Sequence, residues 1–200
     1  SPRAPQPGVG KGAMGKGRLE AFSDGVLAII ITIMVLELKV PHGADLDALA
    51  PLMPRFLSYV LSFIYVGIYW NNHHHLLHTV SHVDGLILWA NANLLFWLSL
   101  IPFTTSWMGQ TDFAAMPTVV YGLVLLMATL AMYGLKLACI QAQGENSPLE
   151  RIIGSDLKGK VSPVLLLTAI LLAFVDTRIA ATLYLLVAML WLVPARRIEK

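Results

Sequence analysis

The chain of 200 residues is 56% hydrophobic and 13% charged, and its mean hydropathy is +0.68. This apolar content exceeds what the core of one small soluble domain can bury, so it excludes an ordinary soluble globule and indicates a membrane protein. The formal net charge is only +2 and its basic residues are scattered, so we expect no nucleic-acid partner. The single cysteine, Cys139, excludes an intramolecular disulfide and a cysteine-rich metal site.

The N-terminal segment, residues 1–17, is basic, rich in Gly and Pro, and too polar for the apolar part of a signal peptide. We expect it to form a flexible tail. Met14 is followed by Gly-Lys-Gly-Arg-Leu-Glu, which resembles a natural start, so residues 1–13 are interpreted as a remnant of an expression vector. A transmembrane domain is predicted over residues 18–195, with a basic C-terminal end at 196–200.

Six apolar segments are predicted to cross the bilayer as helices, because about 20 mostly apolar residues span its hydrocarbon core. In chain order they cover residues 21–38, 57–72, 85–107, 117–138, 161–175 and 179–193. Pro102 lies near the far end of the third span, where a kink costs least. The last two spans are separated only by Asp176-Thr-Arg178, and a helical hairpin keeps these charges away from the bilayer centre.

The distribution of basic residues predicts the orientation in the membrane. With six spans, both termini lie on one side, and that side holds all of the 14 Lys and Arg residues except Lys39, Arg55 and Arg178. Basic residues concentrate in cytoplasmic segments. We therefore expect both termini in the cytoplasm.

The first span carries an apolar stripe opposite a polar edge. At about 100° per residue, the stripe consists of Ile29, Ile33 and Leu36 and is bordered by Thr32. Ser23 and Asp24 fall on the opposite side of the helix. Two interpretations remain open from this spacing. The stripe faces lipid, or it lines a pore between symmetry copies and gates that pore by dewetting.

The residues that begin this span, Arg18-x-x-x-Phe22-Ser23-Asp24, resemble the RxxxFSD signature of the transmembrane protein 175 family of potassium channels. The resemblance covers residues 18–105. Weaker matches follow the signature in the family's order, namely Ser62-Phe63, Trp70-x-x-His73-His74, Asn93-Leu-Leu-Phe96 and Pro102-Phe103. The chain resembles the single-repeat prokaryotic members of this family, which implies the plasma membrane of a prokaryote. The resemblance also implies an all-α homotetramer of six-helix subunits, in which the first helix of each subunit lines a central pore.

The resemblance also implies roles for individual residues. It places the hydrophobic constriction at Ile29, with further apolar rings at Ile33 and Leu36. It makes Thr32 a contributor to the preference for potassium over sodium. The expected activity is therefore that of a passive, potassium-permeable cation channel, with potassium ions, the bilayer and further copies of itself as partners. No cofactor and no enzymatic activity are expected.

The charged residues of the signature need partners, because an unpaired ionised group at membrane depth costs about 2.5 kcal/mol or more. The candidate partners on the second and third spans are Trp70, His73, His74 and Asn93. We interpret Arg18, Phe22, Ser23 and Asp24 with these residues as a structural polar network. The alternative is a proton-coupled secondary transporter, in which Asp24 and the histidines would form a proton relay.

The histidines of residues 73–82 also permit a metal hypothesis. His74, His78 and His82 recur every four residues, a spacing that could place three zinc or copper ligands on one helical face. No cysteine accompanies them, and the first nearby carboxylate is Asp84. A helix end is an ordinary place for histidine, because the cation complements the helix dipole there. We therefore expect no metal, and a membrane metalloenzyme is the third hypothesis.

Overall fold

The computed structural model describes the backbone of residues 11–143 and 157–192, and the side chains of these ranges from residue 15 onward. These parts of the chain form seven α-helices and one 3-10 helix (Leu46–Leu52). The α-helices are α1 (Lys11–Leu36), α2 (Met53–His78), α3 (Gly85–Ser99), α4 (Ile101–Gln110), α5 (Ala115–Gln143), α6 (Leu157–Leu172) and α7 (Thr177–Leu192).

Helix α1 begins at Lys11, inside the segment that was expected to be a flexible tail. The Lys16 ammonium donates to the carbonyl oxygens of His78 (3.4 Å) and Val80 (3.1 Å), at the end of α2. This contact joins the extra turns of α1 to the rest of the subunit. The local Gly and Pro content could not predict it, because the partner residues are distant in sequence. Residues 1–10 and the expected basic end at 196–200 lie outside the described ranges.

Four helical segments are long and apolar enough to cross a membrane: Gly15–Leu36, Leu46–His78, Gly85–Gln110 and Ala115–Gln143. The third contains a break, because α3 ends at Ser99 and α4 starts at Ile101 with Pro102 in its first turn. Proline is tolerated at that position, where its missing N–H has no helical partner in any case. The predicted disturbance near Pro102 is therefore a boundary between two helices of one span.

The last two predicted spans are the 16-residue helices α6 and α7, shorter than the four long segments. They form the predicted helical hairpin. The Trp191 indole donates to the Ser162 hydroxyl over 2.8 Å, which joins the end of α7 to the start of α6. Asp176 and Arg178 lie exposed at the tip, where the Asp176 carboxylate accepts from the Arg178 backbone N–H. The hairpin thus places these charges at one end of the helices.

The helices pack through small residues and internally bonded hydroxyls. In a bilayer no water is available to satisfy a buried hydroxyl, so each one needs a partner inside the protein. The Ser62 hydroxyl shares hydrogen bonds with Thr105 (2.6 Å) and Tyr121 (3.0 Å), which links α2 to α4 and α5. The Tyr65 hydroxyl donates to the Tyr184 carbonyl over 2.6 Å and links α2 to α7. Helix α2 is therefore central to the fold, and α1 packs against α2, α3 and α4.

Gly122 marks the closest approach of α5 to the hairpin. A methyl group there would overlap the Tyr184 side chain and lie 2.8 Å from the Ile170 side chain. We expect Gly122→Ala to lower the free energy of unfolding by about 1–3 kcal/mol through overpacking. The matched control is Gly134→Ala on the same helix, where a methyl group meets nothing within 4 Å. Thermal unfolding of the purified proteins measures the difference, and equal midpoints would contradict the prediction.

Candidate functional site

Helix α1 has one buried face and one exposed face. The buried face consists of Leu19, Ser23, Leu27, Ile30 and Met34. Its spacing of three or four residues is that of a helix packed on one side. The predicted stripe lies on the exposed face, where Ile29 is 59%, Ile33 is 44% and Leu36 is 79% exposed. A long apolar surface is therefore turned away from the core of its own subunit.

Thr32 belongs to the same exposed face. Its hydroxyl donates to the Ile29 carbonyl over 2.8 Å, within the helix. Because the hydroxyl hydrogen is used in this bond, the oxygen retains lone pairs that can accept from water or coordinate a cation. Thr32 therefore adds the only side-chain hydroxyl of the described exposed face between Ile29 and Leu36.

The signature Arg18-x-x-x-Phe22-Ser23-Asp24 divides between the two faces of α1. Arg18 and Phe22 are exposed and lie on the side of the stripe, whereas Ser23 is fully buried. Asp24 lies at the edge of the exposed face, next to α2. The four residues are close in sequence but do not form one cluster, because successive residues on a helix point in different directions.

Ser23 joins three helices through a buried hydrogen-bond chain. The Asn91 amide nitrogen donates to the Ser23 hydroxyl over 3.0 Å, and the Asn91 amide oxygen lies 2.7 Å from Nε2 of His73. Because that oxygen can only accept, Nε2 of His73 carries the hydrogen. Ser23 in turn donates to the Leu19 carbonyl over 2.9 Å. The chain links α1, α3 and α2, and each of its side chains is at most 3% exposed.

Asp24 has a separate partner. The Trp70 indole donates to a carboxylate oxygen of Asp24 over 3.0 Å, and the Trp70 ring stacks on His74 with 5.9 Å between ring centroids. This pair ties one edge of α1 to α2. The two sets of contacts hold α1 at its buried face and at one edge, and its stripe lies on the outside.

The structure corrects one expected partner of the signature. Asn93 lies in an open groove between α3 and α5, beside Trp97 and Gly134, and does not reach Ser23 or Asp24. Asn91 makes the contact instead, because two residues along a helix change the direction of a side chain by about 200°. Asn91 shares the buried face of α3 with Ile87, Leu94 and Leu98. The spacing of these apolar residues is the sequence signal that could have identified Asn91 as the buried asparagine.

The histidine spacing does not produce a shared helical face. Helix α2 ends at His78, so His82 lies in the following loop, where its ring contacts Ser81. The rings of His74 and His78 are 4.9 Å apart at their centroids. Among the residues that the structure describes, no group of three or more His, Cys, Asp or Glu side chains is arranged to hold a metal ion.

A further polar contact lies at the other end of α1. The Ser106 hydroxyl donates to a carboxylate oxygen of Glu37 over 2.9 Å, and the Gln110 amide donates to Ser106 over 2.7 Å. Glu37 follows directly after α1, whereas Ser106 and Gln110 belong to α4. This contact ties the second end of the exposed stripe to the same subunit.

Known proteins resemble the chain over lengths that range from its first half to nearly all of it. The family model described as endosomal/lysosomal potassium channel TMEM175 matches residues 18–102. A potassium channel of Chryseobacterium sp. (strain P1-3) is 56% identical over 187 residues, which cover 94% of this chain and 97% of that protein. A potassium channel of Streptomyces collinus is 37% identical over 127 residues, or 60% of this chain and 62% of that protein.

A solved structure resembles the fold as well. The crystal structure of a lysosomal potassium-selective channel TMEM175 homolog from Chamaesiphon minutus aligns with a TM-score of 0.79 and 27% sequence identity. The alignment covers 90% of this chain and 97% of that one. The family match spans α1, α2 and α3 and contains the signature, the Ser23 chain and the exposed stripe. This multi-pass membrane protein belongs to the TMEM175 family of channels.

Proposed function

We propose that the chain is a potassium-permeable cation channel that assembles as a homotetramer, with α1 of each subunit around a central pore. The observation that carries this proposal is the exposed apolar stripe of a helix that polar contacts anchor at its buried face and at one edge. The names and structure of the relatives support the choice of potassium. The plasma membrane and a cytoplasmic location of both termini complete the proposal, and the bias in Lys and Arg supports this orientation.

The hydrophobic constriction follows from the stripe. From Ile29 to Leu36 the helix rises about 10 Å, so four copies would form three successive apolar rings. A narrow apolar ring excludes water until it widens, and a cation passes only after losing part of its hydration shell. Thr32 would offer hydroxyl oxygens within this stretch. These oxygens could replace part of the lost hydration shell and thereby favour one cation over another.

The polar contacts of the signature would orient the helix rather than bind the ion. Rotation of α1 by one residue, about 100°, would turn Ile29 away from the axis. The bonds of Ser23 to Asn91, at the buried face, and of Asp24 to Trp70, at one edge, oppose such a rotation. We therefore assign the signature a positioning role and the stripe the conducting role.

Ion flux from proteoliposomes tests the proposal. Liposomes loaded with potassium and reconstituted with the full chain are expected to release it down its gradient, without saturation and without obligatory proton exchange. Protein-free liposomes provide the background rate. Saturating flux that requires proton counter-movement would favour the transporter hypothesis over the channel. No flux above background, from protein shown to be folded and tetrameric, would refute both.

The positioning role of Asp24 predicts an effect on assembly rather than on selectivity. Asp24→Ala and Trp70→Phe each remove the same hydrogen bond, and a bond to a charged group contributes about 1.5–3 kcal/mol. We expect lower thermal stability and less tetramer for both, with an unchanged potassium-to-sodium flux ratio. Asp24→Asn keeps an oxygen acceptor for the Trp70 indole and is expected to be milder. Stable Asp24→Ala tetramers with an altered ratio would instead indicate that Asp24 meets the ion.

A further inference from the structure

Two rows of exposed aromatic side chains run along the subunit. The α2 row consists of Phe56, Phe63 and Trp70, and the α3–α4 row consists of Trp89, Phe96 and Phe103. Each row repeats every seven residues, so its members lie two turns apart on one face. The exposed fractions of all six range from 45% to 78%. The described part of the subunit leaves about half or more of each of these side chains uncovered.

The helices that carry the two rows, α2 and α3–α4, all contact α1. On one side, Trp70 of the α2 row contacts Asp24 at the edge of α1. On the other side, Asn91 of α3 contacts Ser23. At about 100° per residue, Phe96 lies about 140° around α3 from Asn91 and about 180° from the buried Ile87. The α3–α4 row is therefore turned away from the core of its own subunit and is available to another copy.

The α2 row is poorly suited to face lipid. Asp24 lies within the Gly15–Leu36 span, and it is exposed beside Trp70. An ionised carboxylate that faces acyl chains is costly, so polar groups at this depth face protein or water. A protein surface next to the α2 row would remove that cost and leave the Trp70 bond in place.

Two internal hydrogen bonds show that the rows lie at matching depths. His73 is bonded to Asn91, and Ser62 is bonded to Thr105, so these pairs are level across the antiparallel α2 and α3–α4. At 1.5 Å per residue, Trp70 and Phe96 then differ in depth by about 3 Å. Phe63 and Phe103 differ by about 1.5 Å on the same basis. A ring axis normal to the membrane leaves depth unchanged from one subunit to the next.

We propose that the α2 row of one subunit packs against the α3–α4 row of the next. The rows are then the two different sides of a heterologous interface, the kind of interface that closes into a ring. Trp70 meets Phe96 of the neighbouring copy, Phe63 meets Phe103, and the neighbour covers Asp24. This interface rests on the proposed function, because that function places α1 of every copy around one axis.

The size of the rows fits an interface between copies. Aromatic side chains present about 150–250 Å² each, so six of them at roughly half exposure bring about 600 Å² to the contact. That is more than a third of the roughly 1,600 Å² buried in a standard interface. Contacts between neighbouring α1 helices would add to it.

Disulfide cross-linking in proteoliposomes tests the pairing. The full chain carries Cys139→Ala together with Phe63→Cys and Phe103→Cys, and a mild oxidant is added. Because each chain then holds both halves of the contact, we expect covalent dimers, trimers and tetramers. Each single cysteine variant should stay monomeric on a denaturing gel. The control pair is Phe63→Cys with Leu130→Cys, since Leu130 on α5 is 47% exposed but outside both rows.

Three outcomes would overturn the inference. The first is a tetramer by native mass spectrometry that yields no ladder of covalent dimers, trimers and tetramers on the denaturing gel. The second is covalent dimers from a single cysteine variant, as a two-fold interface would give. The third is an equal ladder from the control pair. Potassium flux from the same liposomes separates this inference from the channel proposal, since flux without the ladder contradicts the interface alone.

If the cysteine pair does not fold, Phe96→Ala is compared with Leu130→Ala. Loss of one aromatic pair at each interface should raise the dissociation constant for a single contact between two subunits up to about tenfold, and equal constants contradict the pairing.

Discussion

Replacing Ile29 by Asn is expected to raise passive potassium efflux from proteoliposomes about tenfold or more and to admit sodium. Ile29 is exposed on the stripe, and its side chain makes no polar contact in the described subunit. Moving one such apolar side chain between water and an apolar environment changes the free energy by about 1.5–3 kcal/mol. Four Asn amides would hydrogen-bond water in the constriction, and a barrier lower by only about 1.4 kcal/mol already gives a tenfold increase in rate.

Two controls separate wetting from general damage. Ile29→Val keeps the ring apolar and is expected to change the efflux little. Leu171→Asn introduces the same polar group on an exposed position of α6, away from α1, and should leave both ion fluxes unchanged. Efflux and selectivity like those of the wild type in Ile29→Asn would remove Ile29 from the constriction. An equal increase in Leu171→Asn would indicate a leak through a damaged protein or membrane.

Asn91→Leu is expected to lower the free energy of unfolding by about 3 kcal/mol, the largest stability effect predicted here, and to reduce the yield of assembled protein. The substitution removes both side-chain bonds of Asn91 and leaves Nε2 of His73 buried without its partner. A buried polar group that loses its hydrogen bond costs about 1–3 kcal/mol, and two bonds are lost here. Because α1 is held by this chain, its orientation is expected to loosen as well.

Asn93→Leu is the matched control for Asn91→Leu. It makes the same change two residues later on the same helix, in the open groove toward α5. Removing an amide from an apolar exposed surface should leave the unfolding midpoint unchanged or slightly raised. Thermal unfolding and native mass spectrometry of the two variants provide the comparison. Equal destabilisation would show that the Ser23 chain contributes nothing specific.

The sequence was sufficient wherever the answer depends on local helical geometry. The apolar composition predicts a helical membrane protein, and the 3.6-residue repeat of α1 places Ile29 and Ser23 on opposite faces without any knowledge of neighbouring helices. The hairpin of α6 and α7 was predictable for the same reason, because two charged residues interrupt one apolar block. In these cases a few adjacent residues contain all the necessary information.

Only the tertiary structure decided which residues meet between helices. Asn91 and Asn93 have the same chemistry, and the position of α1 beside α3 selects the first. The end of α2 at His78 separates His82 from His74, and the Lys16 contact with α2 accompanies the early start of α1. These outcomes depend on the packing of segments distant in sequence. The direction of a side chain follows from its own helix, whereas its partner depends on where the other helices lie.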